Sequence, residues 1–291
     1  MSLPLTRLKV KLTNMKTVLV LTDFSKKAEH AAEMAIKIAV AASAKVQLHS
    51  TFHAPEVFPS DAGATPFFED YTAEEEASND KLKEFEERLK EKFGNEILPR
   101  ITCTSTPGNL ADTIENLDPW LMVMGGKSRV SALSEFVFGS NTSAVMDTAS
   151  CPVLIVPEKA QLDSFKKIVF ASALSPAEKG AMLFVEEFGS ILNAQITVLH
   201  VSDKQTEEEN PHEQSIYYNG VVSGNQPAVQ YTDVRGADIA EAINDYARHE
   251  AIDLIAIAHA KRSFFGQLFH KSVGKNMVNY QDLPVLILHK Q

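Results

Sequence analysis

The sequence is poor in cysteine and has no long apolar run. Its 291 residues include only two cysteines, Cys103 and Cys151, which is too few for a disulfide framework in a chain of this size. Both lie beside apolar, strand-like runs, so we expect two buried thiols in a reducing compartment. No uninterrupted apolar stretch reaches the roughly 18 residues that a membrane-spanning helix needs. These absences predict a cytoplasmic protein with no membrane partner.

Basic residues are scarce relative to acidic ones. The chain has 28 Lys and Arg against 38 Asp and Glu, which gives a formal net charge of −10. Nucleic-acid binding needs clustered cations that neutralise backbone phosphates, so we expect no nucleic acid among the partners. Any anion that the protein binds must be held by a local site that works against the overall field. The hydrophobic fraction of 44% is far too high for a disordered chain, and the length fits two domains.

The sequence repeats itself at an offset of about 150 residues. The segments that begin at Val18 and Ile168 each open with an apolar run, pass a small polar turn, and enter a long apolar-periodic stretch. Near the ends of the two copies, Pro152-Val-Leu-Ile-Val156 matches Pro284-Val-Leu-Ile-Leu288. Such self-similarity indicates two copies of one structural unit.

The two copies differ in their middle part. Copy one carries the stretch 72–94, in which Leu82, Phe85, Leu89 and Phe93 form an apolar stripe and Gly94 is a stop signal, so it predicts an amphipathic helix. The corresponding stretch of copy two, 204–227, is rich in Gly, Asn and Pro and predicts a loop. Just before this region the second apolar run of each copy ends in Leu-His, which aligns His49 with His200.

Apolar strand-like runs alternate with helical stretches in both copies. Strands that are continuously apolar are typical of a parallel sheet covered by helices on both faces. The alternation predicts an α/β fold with two doubly wound, Rossmann-like domains, 15–157 and 166–291, whose ligands lie at the carboxyl ends of the strands. The predicted strands are 16–22, 45–52, 98–104, 120–125 and 152–156 in copy one, and 167–172, 195–201, 228–234, 253–258 and 284–288 in copy two.

The turn after the first strand of copy one is Thr22-Asp23-Phe24-Ser25. A carboxylate at the carboxyl end of a strand can accept hydrogen bonds from a sugar hydroxyl or a base amino group. Asp23 can equally well cap the following helix, and Ser25 is a second candidate for that cap. Position alone leaves both interpretations open.

The turn after the fourth strand of copy one is Met124-Gly125-Gly126-Lys127-Ser128-Arg129, and Gly139-Ser140-Asn141-Thr142 follows it. Glycines let backbone N–H groups approach a phosphate, and a helix that begins near Ser140 aims its positive end at the same place. Lys127 and Arg129 add charge, and the Ser140 hydroxyl adds a donor. The spacing matches neither of the two common glycine-rich phosphate motifs, and two ordinary turns would also explain it.

The combination of these features resembles the universal stress protein family. An apolar strand that ends in Asp, a Gly loop after strand four, Gly-Ser about 13 residues later and a closing Cys-Pro-Val-Leu-Ile-Val strand carry the resemblance, over about 16–157 and 166–290. It implies nucleotide-binding domains with five parallel strands in the order 3-2-1-4-5. It also implies that the last strands, 153–156 and 285–288, lie side by side, so that the chain is an intramolecular pseudo-dimer with a possible further homodimer.

Carried over residue by residue, the resemblance places an adenine nucleotide, ATP or ADP, in copy one. Asp23 matches the acidic residue at the adenosine end, and the backbone around His49-Ser50-Thr51 matches the contact from strand two. The family's middle glycine is missing, because Ser128 or Arg129 stands there. The candidate binding residues are therefore Thr22, Asp23, Ser50, Gly125, Gly126, Lys127, Ser128, Arg129, Gly139, Ser140 and Asn141.

Copy two departs further from the pattern. Ala173 stands where Asp23 stands, and Lys271 replaces the last glycine before Ser272. We therefore expect a degenerate second site that binds no nucleotide in the family's way. Its apolar strands still support a core and a shared interface with copy one.

The predicted function is that of a stress-response protein that binds an adenine nucleotide without efficient turnover. We identify no catalytic residue and no metal ligand, so the protein is expected to be at most a slow ATPase. One alternative is an interaction scaffold that binds no nucleotide and serves an unknown protein partner, which the missing glycine favours. An adenylating enzyme is less favoured, because it needs a Ser-Gly-Gly loop after the first strand, where this chain has Asp23 and Phe24.

Overall fold

A computed structural model describes residues 15–52, 72–94, 101–115, 117–126, 140–161, 165–202, 229–259 and 283–289. The predicted loops 55–71 and 204–227 lie outside the described residues. The strands are β1 Thr17–Leu21, β2 Lys45–Phe52, β3 Ile101–Pro107, β4 Leu121–Gly126, β5 Val153–Pro157, β6 Lys167–Ala171, β7 Gln195–Ser202, β8 Val229–Arg235, β9 Leu254–His259 and β10 Val285–His289. The helices are α1 Lys26–Ala41, α2 Thr72–Phe93, α3 Leu110–Ile114, α4 Ser140–Thr148, α5 Lys179–Leu192 and α6 Ile239–His249, and a 3₁₀ turn, Pro176–Glu178, precedes α5.

All ten of these strands form one sheet in the order β3-β2-β1-β4-β5-β10-β9-β6-β7-β8. Each half has the predicted order 3-2-1-4-5 with parallel pairs, which confirms the predicted fold class. The halves meet where β5 and β10 pair antiparallel, with Val285 opposite Ile155. The predicted side-by-side placement of the last strands is thereby confirmed, and it covers two sheet edges that would otherwise be open to pairing with another chain. The domain limits 15–157 and 166–291 stay a prediction.

Helix α2 confirms the helix that the apolar stripe predicted. Leu82, Phe85 and Leu89 are buried against the sheet, and Phe93 packs partly buried beside them. Gly94 follows with φ +78°, a left-handed conformation that glycine adopts without steric cost and that ends many helices. None of the described helices has the length and apolarity that crossing a bilayer requires.

Strand β3 extends further than the sequence indicated. The predicted end was residue 104, but the ladder with β2 continues through Ser105 and Thr106 to Pro107, which lies opposite Phe52. Residues 105–107 carry no apolar side chain except that of the proline, yet β3 is one of the two edge strands of the sheet, where polar residues and a terminal proline are tolerated.

The expectation of two buried thiols is wrong for one of them. Cys151 is buried, but Cys103 lies exposed on edge strand β3, with its Sγ 3.7 Å from Glu86 Oε2 of α2. Desolvation raises the pKa of Cys151 to about 12, and desolvation together with the Glu86 charge raises the pKa of Cys103 to about 11. Both thiols are therefore protonated at neutral pH and are poor nucleophiles.

The alignment of His49 with His200 is also wrong, by one residue. In the sheet, His49 lies opposite Leu21, and the residue opposite Ala171, the counterpart of Leu21, is Leu199. Because side chains alternate along a strand, a shift of one residue places the two histidines on opposite faces. The Leu-His dipeptides are therefore a coincidence of sequence and not an equivalent feature of the two repeats.

Candidate functional site

A cleft of about 690 Å³ lies at the carboxyl ends of β1 and β4 in the first repeat. Strand β1 pairs with β2 on one side and β4 on the other, so this is the place where the strand order reverses. Ligands of doubly wound sheets bind at such a switch point, and the volume falls within the range of small-molecule sites, roughly 300–1,000 Å³. The described residues that line the cleft are Leu21, Thr22, Asp23, Phe24, Lys27, Ala28, Thr51, Phe52, Glu74, Ala77, Ser78, Lys81, Leu110, Met124, Gly125 and Thr142.

The turn between β1 and α1 is fixed by its own hydrogen bonds. Thr22 N donates to His49 O at 2.9 Å, and Phe24 N donates to Thr22 Oγ1 at 3.0 Å. Phe24 has φ +61°, an uncommon conformation for a bulky residue, and its ring meets the ring of Phe85 edge to face at 6.1 Å. Leu174, its counterpart in the second repeat, has φ +57°. The strained turn thus belongs to the repeat itself and serves to place residue 23 on the cleft wall.

Ser25, and not Asp23, caps helix α1. Ala28 N donates to Ser25 Oγ at 3.4 Å, whereas Asp23 Oδ1 accepts hydrogen bonds from the backbone N of Ser25, at 3.1 Å, and from its hydroxyl. Lys27 Nζ lies 3.3 Å from Asp23 Oδ2. Asp23 is half exposed, so its carboxylate keeps acceptor capacity toward the cleft.

The charge state of Asp23 follows from these contacts. Desolvation raises the pKa of the carboxyl, but the hydrogen bonds from Ser25 and the charge of Lys27 outweigh it, so the pKa lies below its usual value. Asp23 is therefore ionised at neutral pH. It can accept hydrogen bonds from hydroxyl or amino groups but is too weak a base to take up a proton in a reaction at that pH.

Gly125 brings α1 close to the sheet. A Cβ at this position would lie 2.8 Å from both the backbone C and O of Lys27 and 3.1 Å from Ala28 N. A Cβ at Gly126 would meet a side-chain methyl instead, Ile155 Cγ2, at 2.7 Å. The first glycine is thus required by helix–strand packing, whatever the cleft binds.

Helix α4 begins at the cleft. Thr142, in its first turn and only 6% exposed, lines the cleft, and this turn has no acidic residue. The N-terminus of a helix offers unpaired N–H groups and a positive dipole end to an anion. The backbone of Ser140 and Asn141 belongs to this helix. The predicted site residues Lys127, Ser128, Arg129 and Gly139 lie outside the described residues.

Among the described residues of the predicted site, Gly126 does not line the cleft, and neither does Ser50. Ser50 is 1% exposed, and its Oγ lies 3.0 Å from the Oγ of Ser78, which also accepts a hydrogen bond from Ser105 Oγ at 2.7 Å. The next residues of β2, Thr51 and Phe52, line the cleft in its place. Since side chains alternate along a strand, the hydroxyl of Ser50 faces α2.

His49 holds the end of β2 through a buried network. Its Nδ1 lies 2.9 Å from Thr104 Oγ1 and its Nε2 lies 3.3 Å from Thr106 Oγ1, and the ring is 2% exposed. Desolvation lowers the pKa of His49, so the ring is neutral at neutral pH. His49 therefore acts on the cleft through its carbonyl group, which accepts the hydrogen bond from Thr22 N.

Helix α2 supplies a wall that sequence reasoning missed. Glu74, Ala77, Ser78 and Lys81 have the spacing i, i+3, i+4, i+7, which puts them on one helix face, and all four line the cleft. Neither this helix face nor Lys27 lies in the turns after strands one and four, where the sequence predicted the site. The sequence did contain a signal for this wall, because this face of α2 carries polar or small side chains, unlike the apolar stripe that packs on the sheet.

The second repeat lacks the counterparts of two cleft residues. Ala173 follows Ser172 as Asp23 follows Thr22, and Ser172 N donates to Leu199 O at 3.0 Å as Thr22 N does to His49 O. Ile257 lies opposite Ala171 as Met124 lies opposite Leu21, so Ala258 occupies the place of Gly125. The two repeats thus share the turn but not its carboxylate or its glycine.

A family model described as the universal stress protein family matches the chain twice, over residues 14–157 and 164–289. A universal stress protein from Archaeoglobus fulgidus DSM 4304 has a TM-score of 0.69 and 14% identity, covering 94% of this chain and 98% of that chain. A functionally unknown protein from Pseudomonas aeruginosa PAO1 has a TM-score of 0.57 and 14% identity, covering 95% of this chain and 93% of that chain. At these identities the likeness shows the fold alone.

One further solved structure is a universal stress protein in complex with cAMP. It is 26% identical and covers 48% of this chain and 96% of that chain, with a TM-score of 0.34, which is too low to transfer its ligand to this chain. No curated protein matches the sequence.

Proposed function

The chain belongs to the universal stress protein family, and on this premise we propose that its first repeat binds an adenine nucleotide, ATP or ADP, in the cleft between β1 and β4. The protein then acts in a stress response as a nucleotide-binding module without efficient turnover. The observation that supports this proposal is the cleft itself, which combines an ionised carboxylate, a lysine, apolar walls and a helix N-terminus at the switch point of the sheet.

The chemistry of the cleft wall suits the parts of a nucleotide. The Asp23 carboxylate accepts hydrogen bonds from ribose hydroxyls or from an adenine amino group. Leu21, Leu110 and Met124 offer apolar surface to a purine ring. The N-terminus of α4 and the ammonium of Lys27 attract phosphate, so the anion is held locally despite the negative net charge.

The same residues argue against efficient turnover. Hydrolysis of a nucleotide needs a positioned water, a base and usually a metal ion. The lowered pKa of Asp23 makes it a poor base, and it already accepts hydrogen bonds from Ser25 and faces Lys27. Within the described ranges, no group of three or more His, Cys, Asp and Glu side chains is arranged to hold a metal ion.

Two measurements test the proposal. Mass spectrometry of small molecules released from denatured, freshly purified protein is expected to find adenine nucleotide at about one per chain. In thermal denaturation, ATP or ADP at 100 times its dissociation constant is expected to stabilise the folded chain by about 2.7 kcal/mol, because it binds the folded state alone.

Asp23→Ala tests the site assignment. The expected result is at least a tenfold loss of nucleotide affinity, or about 1.4 kcal/mol, measured by calorimetric titration. Glu29→Ala is the matched control. It also removes one negative charge, in this case from the first turn of α1, and Glu29 is not among the residues that line the cleft. Retained affinity in Asp23→Ala would mean that the carboxylate is misassigned. Absence of any nucleotide effect on the unaltered protein would leave the interaction scaffold as the function.

A further inference from the structure

The two repeats differ at a further position that bears directly on the cleft. In each repeat a serine caps the helix after the first strand, Ser25 before α1 and Ser175 before the 3₁₀ turn that leads into α5. The third residue after this cap is Ala28 in the first repeat and Glu178 in the second. Ala28 lines the open cleft, and its side chain is a single methyl group.

The Glu178 side chain folds back onto the carboxyl end of β6, the place that corresponds to the cleft of the first repeat. Its Oε2 accepts a hydrogen bond from Ser172 Oγ at 2.6 Å, and its Oε1 accepts one from Ala173 N at 3.4 Å. Ser172 and Ala173 are the counterparts of Thr22 and Asp23, both of which line the cleft of the first repeat. Glu178 is 2% exposed, so its carboxylate is enclosed at the carboxyl end of β6.

We propose that this helix position determines which repeat accepts a ligand: Ala28 leaves the first cleft open, and Glu178 closes the second with the chain's own carboxylate. The residue acts by excluding ligands and not by binding them. The part of the proposal that concerns ligands rests on the proposed function of the first repeat, whereas the closure of the second repeat stands on its own contacts.

The energetics favour a permanently closed second site. A buried carboxylate is stable only while its hydrogen bonds are kept. A ligand would therefore have to displace Glu178 and replace the hydrogen bonds that Glu178 accepts from Ser172 and Ala173. A ligand phosphate would in addition meet a negative charge where the first repeat has an uncharged methyl group. The second repeat also lacks the carboxylate at residue 173, so it offers no compensating contact to a sugar.

Hydrogen exchange tests the closure without any nucleotide. Glu178→Ala is expected to speed exchange of the Ala173 amide at least tenfold and to lower the melting temperature by about 2–4 °C, because the Ser172 hydroxyl and the Ala173 amide lose their hydrogen bonds to Glu178. Glu241→Ala is the matched control: Glu241 also stands third after a helix cap, at Asp238, but its side chain is exposed. It is expected to change neither value. Unchanged exchange and melting in Glu178→Ala would overturn the closure.

Ala28→Glu tests the same position in the first repeat. Thr22 supplies a hydroxyl where Ser172 stands, so the introduced glutamate is expected to fold back in the same way and to weaken ATP or ADP binding at least tenfold in a calorimetric titration. Circular dichroism and the melting curve show whether this variant folds. A folded variant with unchanged affinity would overturn the proposal for ligand access. If the unaltered protein binds no nucleotide, the proposed function fails, while the exchange experiment still decides whether Glu178 closes the second repeat.

Discussion

Gly125→Ala is expected to destabilise the protein by about 1–3 kcal/mol, the cost of overpacking in a well-packed core. The added Cβ would lie 2.8 Å from the backbone C and O of Lys27, and backbone atoms in the first turn of α1 cannot rotate away as a side chain can. The helix must therefore shift away from β4. In an unobstructed strand the same change is favourable, because glycine loses more backbone entropy on folding than alanine does.

Two control variants isolate this close approach. At Gly126 the added Cβ would lie 2.7 Å from the side-chain methyl Ile155 Cγ2 and no closer than 3.7 Å to any backbone atom. A χ1 rotation of Ile155 can relieve this contact without displacing a helix, so Gly126→Ala is expected to cost less than Gly125→Ala. Ala258→Gly, at the matching position of the second repeat, is expected to cost about 0.5–1 kcal/mol from backbone entropy and about 0.8 kcal/mol more from the loss of a buried methyl group. Urea denaturation of the three variants gives the comparison. Equal losses at Gly125 and Gly126 would mean that the contact with α1 does not govern the first glycine.

The expected loss changes how the glycine-rich turn is interpreted. In the sequence, Gly125 and Gly126 served equally well as phosphate-binding glycines. In the structure, Gly125 is explained by the packing of α1 against β4, so its presence is no evidence for a phosphate. The proposed anion site rests instead on the α4 N-terminus and Lys27, which lie at the same strand end.

The sequence was sufficient to predict the sheet because its signals are local and repeated. Continuous apolar runs such as 18–21 and 168–171 marked the strands, and the matching segments around Val153 and Val285 indicated how the halves meet. The end of β3 was missed because Ser105 and Thr106 are polar in composition yet paired in the ladder. Burial of Cys103 was mispredicted from its apolar neighbours, although the order 3-2-1-4-5 that the resemblance implied already placed its strand at an edge of the sheet.

A residue of the candidate site was predictable only where its type and its position after a strand together indicate a chemical role. Asp23 was identified as a lone carboxylate after an apolar strand, and the structure places it on the cleft wall. The α2 wall was missed because its contribution depends on how a helix packs more than 50 positions away from Asp23. Glu178 was missed for another reason: its role depends on the direction of its side chain, since an exposed glutamate at the third helix position, such as Glu241, has the same sequence pattern.

Glu186→Ile is expected to stabilise the protein by about 1–2 kcal/mol at pH 7. Glu186, on α5, is only 6% exposed, and its Oε1 has no hydrogen-bond partner among the described residues. Desolvation raises the pKa of its carboxyl. The corresponding residue of α1, at the repeat offset of 150, is Ile36, which is 1% exposed and belongs to the core. The substitution therefore gives the second repeat the side chain that the first repeat has at this place.

The pH dependence of the gain identifies its cause. Because the folded-state pKa of Glu186 lies above the unfolded value of about 4.5, burial of the charged form destabilises the fold at neutral pH. As the pH falls through the folded-state pKa, the folded chain takes up a proton and this penalty is lost. The stability gain of Glu186→Ile over the unaltered protein is thus expected to be largest at pH 7 and to shrink toward pH 4, measured by urea denaturation across that range.

Glu187→Gln, at the neighbouring residue of α5, is the control for a general effect of removing charge from this helix. Its side chain is 47% exposed and forms an ion pair with Lys16, so its replacement is expected to change the free energy of unfolding by less than about 1 kcal/mol. A gain for Glu186→Ile that does not vary with pH would show that added packing, and not the removal of a buried charge, stabilises the variant. No gain at any pH would mean that solvent or another group already compensates the Glu186 carboxylate, and that the difference between Ile36 and Glu186 has no energetic consequence.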